Sequence, residues 1–293
     1  MSKKSKKMNK GVTVGGIAKQ FLEWVGENRA ENTFKMYDNR LRPFVDQFGT
    51  AVVRQLKPQQ IDDYLASVNK WANGKEKAPD TIRANIVVLE RLEQFSIKRQ
   101  LVKHPFVGEH EKPAGRMRDR LPTAEEVAKI KAIASPEFNL VYQALRQSGA
   151  RPNEIARSTV ADWDRVTGQI VLLKHKTIRK TGRPRKIAVG EKLTALILAS
   201  LGDRTEGPLF RTPRGNQWTT DTLSQTFSRY RNAAGVDKSV VLYSSRHEHA
   251  TAICKLHGMD ATADALGHAT KITGRYVHQD PKERQARQDS VSL

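Results

Sequence analysis

Arg246, His268 and Tyr276 carry side chains that together suit a phosphate. A guanidinium fork binds two phosphate oxygens at once, an imidazole donates a further hydrogen bond, and a phenol is an oxygen nucleophile. The three lie along the stretch from Tyr243 to His278, YSSRHEHATAICKLHGMDATADALGHATKITGRYVH. Its short apolar-periodic segments and its Leu266-Gly267-His268 turn would let them converge. A phosphate site of this kind still needs a second arginine and a proton donor, and both must come from upstream.

Ser148-Gly149-Ala150-Arg151-Pro152-Asn153-Glu154 offers the arginine. Arg151 falls at the junction of two helices, with Pro152 suited to the first turn of the second, where backbone N–H groups also point toward an anion. An ion pair with Glu154, three residues on, is the plain structural alternative. With Arg246, the Leu266-Gly267-His268 turn and Tyr276 following in that order within a basic chain, the pattern resembles the tyrosine recombinases, the phage-integrase family. That family combines a T/S-G-x-R-x-x-E segment, an H-x-x-R segment, an L-G-H turn and a nucleophilic tyrosine. The resemblance implies that Arg151, Arg246 and His268 hold the scissile phosphate, that Tyr276 attacks it, and that Glu154 supports the arginines. There are two departures. Tyr243 stands where the family has the histidine of H-x-x-R, keeping a hydrogen-bond donor but a poorer acid-base group. Tyr276 follows His268 by eight residues, about one fewer than is common in the family.

The proton donor is sought in a basic connection, His175 to Arg185, between two short β runs, Gln169 to Leu173 and Lys186 to Val189. It looks like the family's β-hairpin, which carries a lysine to the scissile phosphate. Lys176, directly after the first strand, is the expected donor and Lys180, at the turn, the alternative. Arg179, Arg183 and Arg185 are expected to grip DNA backbone, a task that needs charge more than geometry. No metal or cofactor is expected: the histidines are not clustered with carboxylates or cysteine at ligand spacing.

These residues need a scaffold. From Thr13 to Val107 four apolar stripes at helical period predict a small bundle, the last helix capped by Asp80 or Thr81. Its placement resembles the helical, SAM-like core-binding domain that precedes the catalytic domain in the family, with Arg29, Lys35, Arg40, Lys70, Lys75 and Arg83 as phosphate contacts. A polar linker follows. Thr123 and Glu126 then form a capping box opening the second domain. Helices rich in leucine fill it out, with Arg211, Arg214, Arg229 and Arg231 adding positive surface. The expected class is mainly α with a small antiparallel β-sheet, an N-terminal helical domain joined to an α+β tyrosine-recombinase catalytic domain. The expected boundaries are a basic tail (1–12), the core-binding domain (13–107), a linker (108–121), the catalytic domain (122–278) and a C-terminal tail (279–293).

Composition bounds the partner. The 293 residues carry 51 Lys and Arg against 31 Asp and Glu, a formal charge of +20, so a polyanion is expected and double-stranded DNA is the first candidate. No apolar run approaches the roughly 20 residues needed to span a bilayer, and no membrane association is expected. Cys254 is alone, so no internal disulfide can form; it is expected as a small buried hydrophobe in an intracellular, cytoplasmic, DNA-associated protein. Exchange of four strands would require a homotetramer on two DNA sites. A relaxing topoisomerase of the type IB class and a DNA-binding protein with a weakened site are the competing readings.

Overall fold

The apolar periodicity of the N-terminal third becomes four helices, α1 (Val14–Asn28), α2 (Glu31–Phe48), α3 (Pro58–Val68) and α4 (Pro79–Lys98). The structure is a computed structural model that describes residues 11–115, 120–175, 178, 182–277, 285 and 288–290. It divides into two compact units, Met1–Arg116 and Met117–Leu293. In the first, α1 starts at Thr13, whose hydroxyl accepts from the Gly16 N–H at 3.1 Å. Ile17, Phe21 and Val25 of α1 meet Leu41 and Phe44 of α2, Ile61 of α3 and Leu89 and Leu92 of α4 in one buried core. Each such side chain taken from water stabilises the unit by about 1.5–3 kcal/mol. Beyond α4, the buried Glu93 carboxylate accepts from the backbone N–H groups of Phe106 and Val107, fixing the departing segment to the bundle.

Two expectations in this unit are corrected. The cap of α4 is Ala78 with Pro79 at the first helical position, so Asp80 lies inside the first turn instead of capping it. Arg40 is half-buried and donates to the Thr81 carbonyl and to Asn85 Oδ1, which ties α2 to α4 and removes it from the list of free surface cations.

The second unit opens with α5 (Ala124–Ile133), whose Thr123–Glu126 capping box is present in both directions. α6 (Pro136–Ser148) and α7 (Pro152–Arg157) follow, then a three-stranded antiparallel sheet in the order β1 (Trp163–Asp164), β2 (Gln169–Leu172) and β3 (Arg185–Ala188). In register, Ile170 faces Ile187 and Leu172 faces Arg185. After the sheet come α8 (Glu191–Leu201), α9 (Thr220–Ala233), α10 (Ser244–Leu266), broken at Gly258, and α11 (Thr270–Thr273). The core of this unit gathers Phe138, Tyr142 and Leu145 of α6 with Ile170, Ile187, Ile197 and Phe227.

Here too the structure differs in places. The sheet has a strand more than the two runs read from sequence, because β1 is only two residues long and too short to show a period. Arg231 is buried and donates to the carbonyls of Lys238 and Val240, so it braces a turn and adds no surface charge. Cys254 is half-buried, its thiol 3.4 Å from the Met259 sulfur, and is not a core residue. Among the described residues, no helix is long and apolar enough to cross a membrane and no group of His, Cys, Asp or Glu could hold a metal ion.

Candidate active site

The site begins with the turn between α6 and α7. Gly149 ends α6 in the left-handed region at φ 59°, and a Cβ there would stand 2.4 Å from the His249 ring, so glycine is required on both counts. The chain then passes Ala150 and places Arg151 as the cap of α7, with Pro152 at the first helical position. Glu154 is buried at 4% exposure and accepts twice from Arg151, from its backbone N–H at 2.9 Å and from its guanidinium at 2.7 Å. Burial opposes the Arg151 charge, but the Glu154 carboxylate outweighs it and raises the pKa above the usual arginine range. The ion pair and the anion site are therefore not alternatives. One carboxylate holds the fork while 17% of the side chain stays exposed.

Arg246 sits in the first turn of α10 and is fully buried. Its guanidinium donates to the Gly149 carbonyl at 2.7 Å and to the Leu266 carbonyl at 2.9 Å. It thus joins the turn that carries Arg151 to the end of the helix that precedes His268. Burial, and then the neighbouring Arg151, lower its pKa. Two guanidiniums held close without a carboxylate on each form a surplus of positive charge suited to an anion.

At the end of α10, Gly267 caps the helix in the left-handed conformation and His268 turns inward. His268 Nδ1 lies 3.3 Å from the Ala269 carbonyl and 3.4 Å from the Thr273 hydroxyl, while Nε2 is buried with no hydrogen-bond partner among the described residues. Its pKa is lowered by burial and by Arg246. Tyr276, just past α11, stacks on His268 with ring centroids 5.1 Å apart, lies 5.0 Å from the His247 ring, and has the Arg246 guanidinium 5.1 Å from its own centroid. Its hydroxyl is 3.2 Å from that of Tyr243, the residue before α10. Burial, and then the hydrogen bond with Tyr276, push the Tyr243 phenol up to about 12.

Arg151, Arg246, His268, Tyr243 and Tyr276, with Glu154 behind them, are thus brought into one place from four parts of the chain. Arg151 also borders a hollow of about 350 Å³ lined by Asn153, Arg157, Lys174 and His175. Lys176, Lys180 and Arg179 lie outside the described residues. Arg183 is exposed. Arg185 is not the backbone grip expected of it: it is the first residue of β3, 6% exposed, with its guanidinium turned into the site. The signal for that was alternation, since Arg185 and Ile187 share the inward face of β3. His247, the residue after Arg246, is buried and packs directly on Tyr276.

Residues 122–283 match the model of the Phage integrase family. Over 292 residues the chain is 23% identical to the tyrosine recombinase XerD of Vibrio cholerae, covering 90% of this chain and 91% of the relative. Among solved structures, a lambda integrase tetramer bound to a Holliday junction superimposes with a TM-score of 0.75 at 16% identity, covering 92% of this chain and 78% of that one. The Tn1549 transposon integrase in complex with circular intermediate DNA gives a TM-score of 0.71 at 17% identity, covering 93% of this chain and 98% of that one.

Proposed function

Because the chain belongs to the phage integrase family of tyrosine recombinases, we propose that it is a site-specific DNA recombinase that cleaves and rejoins strands through a 3′-phosphotyrosyl intermediate. The observation that carries this reading is the packing of Tyr276 against Arg246, His268 and Tyr243 beside the Arg151–Glu154 pair. The short His268 to Tyr276 spacing still lets the phenol reach that cluster, which argues against a degenerate binding protein.

In the proposed reaction the Tyr276 oxygen attacks the scissile phosphorus as its phenolic proton passes to water, and a bond to phosphorus forms. The bond from phosphorus to the 5′-oxygen breaks, and that oxygen takes a proton and departs as a 5′-hydroxyl. Arg151, Arg246 and His268 hold the non-bridging oxygens. A neutral phenol is a weak nucleophile at pH 7, and giving up its proton costs free energy. Fixed donors offset it most where the pentavalent transition state gathers charge. Lys176 protonates the leaving oxygen, with Lys180 as the alternative; His175, the residue before Lys176, lines the same hollow as Arg151. The phosphotyrosyl bond conserves the energy of the broken one, so a 5′-hydroxyl from a partner duplex reseals the strand without ATP. Exchange of four strands makes the working form a homotetramer on two double-stranded DNA sites.

A nicked suicide duplex carrying the protein's site is expected to yield a protein–DNA adduct that survives denaturing electrophoresis and is lost in Tyr276→Phe. A site bound tightly yet never captured covalently would refute the enzyme reading. Exchange between two cognate sites, as opposed to relaxation of one supercoiled circle, separates a recombinase from a type IB topoisomerase.

A further inference from the structure

We infer that Arg185 is a positioning residue of the phosphate site, fixing both Arg151 and the turn that carries His268, a role that rests on the function proposed above. Arg185 comes from β3, the strand that follows the basic connection, yet it reaches into the site. Its guanidinium donates to the Ala265 carbonyl at 2.9 Å and to the Lys186 carbonyl at 2.7 Å. Its Nε lies 3.8 Å from the Glu154 carboxylate, the same carboxylate that holds Arg151.

The last carbonyls of a helix have no partner within it, and at the end of α10 two guanidiniums supply them from outside. Arg185 takes Ala265 and Arg246 takes Leu266. The next residue is Gly267, where a Cβ would stand 2.5 Å from Arg185 Nη1. The Arg185 guanidinium therefore packs directly against the Gly267–His268 turn. Through Glu154 it also sets the partner of Arg151.

Charge adds to this. Arg151 and Arg185 face one buried carboxylate, Glu154, and Arg246 beside them donates only to carbonyls, so the three guanidiniums keep two formal positive charges; Asp264, also near Arg185, is on the exposed side. A phosphodiester brings one negative charge and its pentavalent transition state two. With Arg185 counted, these side chains already carry more positive charge than the ground-state diester neutralises, so the charge gained in the transition state is the better stabilised. Burial drives the Arg185 pKa down, and nearby Arg246 and Arg151 act in the same direction against Glu154.

The test uses the full chain with Arg185→Met and Arg185→Lys, each measured for melting temperature, DNA affinity and rate of adduct formation at saturating nicked duplex. Arg185→Met is expected to slow the adduct step by about 10- to 100-fold with affinity nearly unchanged, and Arg185→Lys, which keeps the charge, to recover part of the rate. A rate at saturation equal to wild type would overturn the proposal. So would a loss confined to affinity, which would return Arg185 to the DNA backbone. Should Arg185→Met not fold, Arg185→Lys carries the test together with the His268 imidazole signal, assigned by its loss in His268→Gln. That signal is expected to shift and to titrate at a different pH in Arg185→Lys. An unchanged His268 titration overturns the positioning role even if wild type forms no adduct, an outcome that would separately refute the recombinase reading.

Discussion

His268 shows how a single side chain can report on the site. Burial, and then Arg246, hold its pKa below the ordinary value near 6.5, so in the free protein the ring is neutral at pH 7. Because the folded value is the lower one, this group's contribution to stability is full above pH 6.5 and is lost as pH falls through the depressed value. A phosphate anion against the buried Nε2 would favour the imidazolium and raise the pKa. We expect the His268 midpoint, followed by NMR in Tyr276→Phe, to lie below 6.5 without DNA and to climb when cognate duplex is added; a midpoint that DNA leaves in place would remove His268 from the phosphate. Tyr243 invites the opposite expectation. With its phenol pushed up to about 12, it keeps its proton through the working range and can steer Tyr276 without shuttling protons. Tyr243→Phe should then slow adduct formation only by the worth of one neutral hydrogen bond, about 1 kcal/mol or fivefold, with the same pH profile between 7 and 9. A loss of several hundredfold with a changed profile would instead make Tyr243 the acid-base group.

At the scale of elements, the turn between α6 and α7 is where backbone geometry and chemistry meet. Gly149 is left-handed at φ 59°, its carbonyl accepts from Arg246, and its Cα faces the His249 ring. Gly235 after α9 also has positive φ, 66°, and closes its helix with the Val236 N–H on the Arg231 carbonyl, but nothing lies within 4 Å of where a Cβ would be. Gly235→Ala should therefore cost about 1–2 kcal/mol of backbone strain, and Gly149→Ala about 1–3 kcal/mol more through displaced packing. Denaturant melts of the two variants measure the difference, and equal losses would show that the His249 contact carries no weight. The helices of each unit were legible because burial writes a period of 3.6 into Ile17, Phe21 and Val25 of α1 and into Phe138, Tyr142 and Leu145 of α6. The motif arginines, His268 and Tyr276 were legible as types in order. What joins them was not: the bonds from Arg246 to Gly149 and Leu266 span 97 and 20 residues, and no local pattern encodes a partner that distant. Arg185 was misread for a related reason. Nearby on the chain are the exposed Arg183 and Lys186, while its neighbours in space are Glu154 and the end of α10.

For the whole molecule, charge has two separate jobs, and salt can tell them apart. Among the described residues most lysines and arginines are exposed, whereas Arg246 is fully buried and Arg185 nearly so. Exposed charges that neutralise DNA phosphates release counterions, so affinity should fall steeply with salt: about 10³- to 10⁵-fold between 50 and 200 mM for 6–10 phosphate contacts. Buried guanidiniums are screened far less, because mobile ions cannot enter around them. The adduct-forming step, measured in a single turnover with DNA saturating at each salt concentration, should therefore change little over the same range. Fluorescence anisotropy supplies the affinities and denaturing gels the rates. Affinity that barely responds to salt would mean that the exposed basic residues do not meet the backbone. A chemical step that collapsed together with affinity would place the reacting phosphate among solvent-screened charges, outside the cluster that Arg151, Arg246 and His268 make around Tyr276.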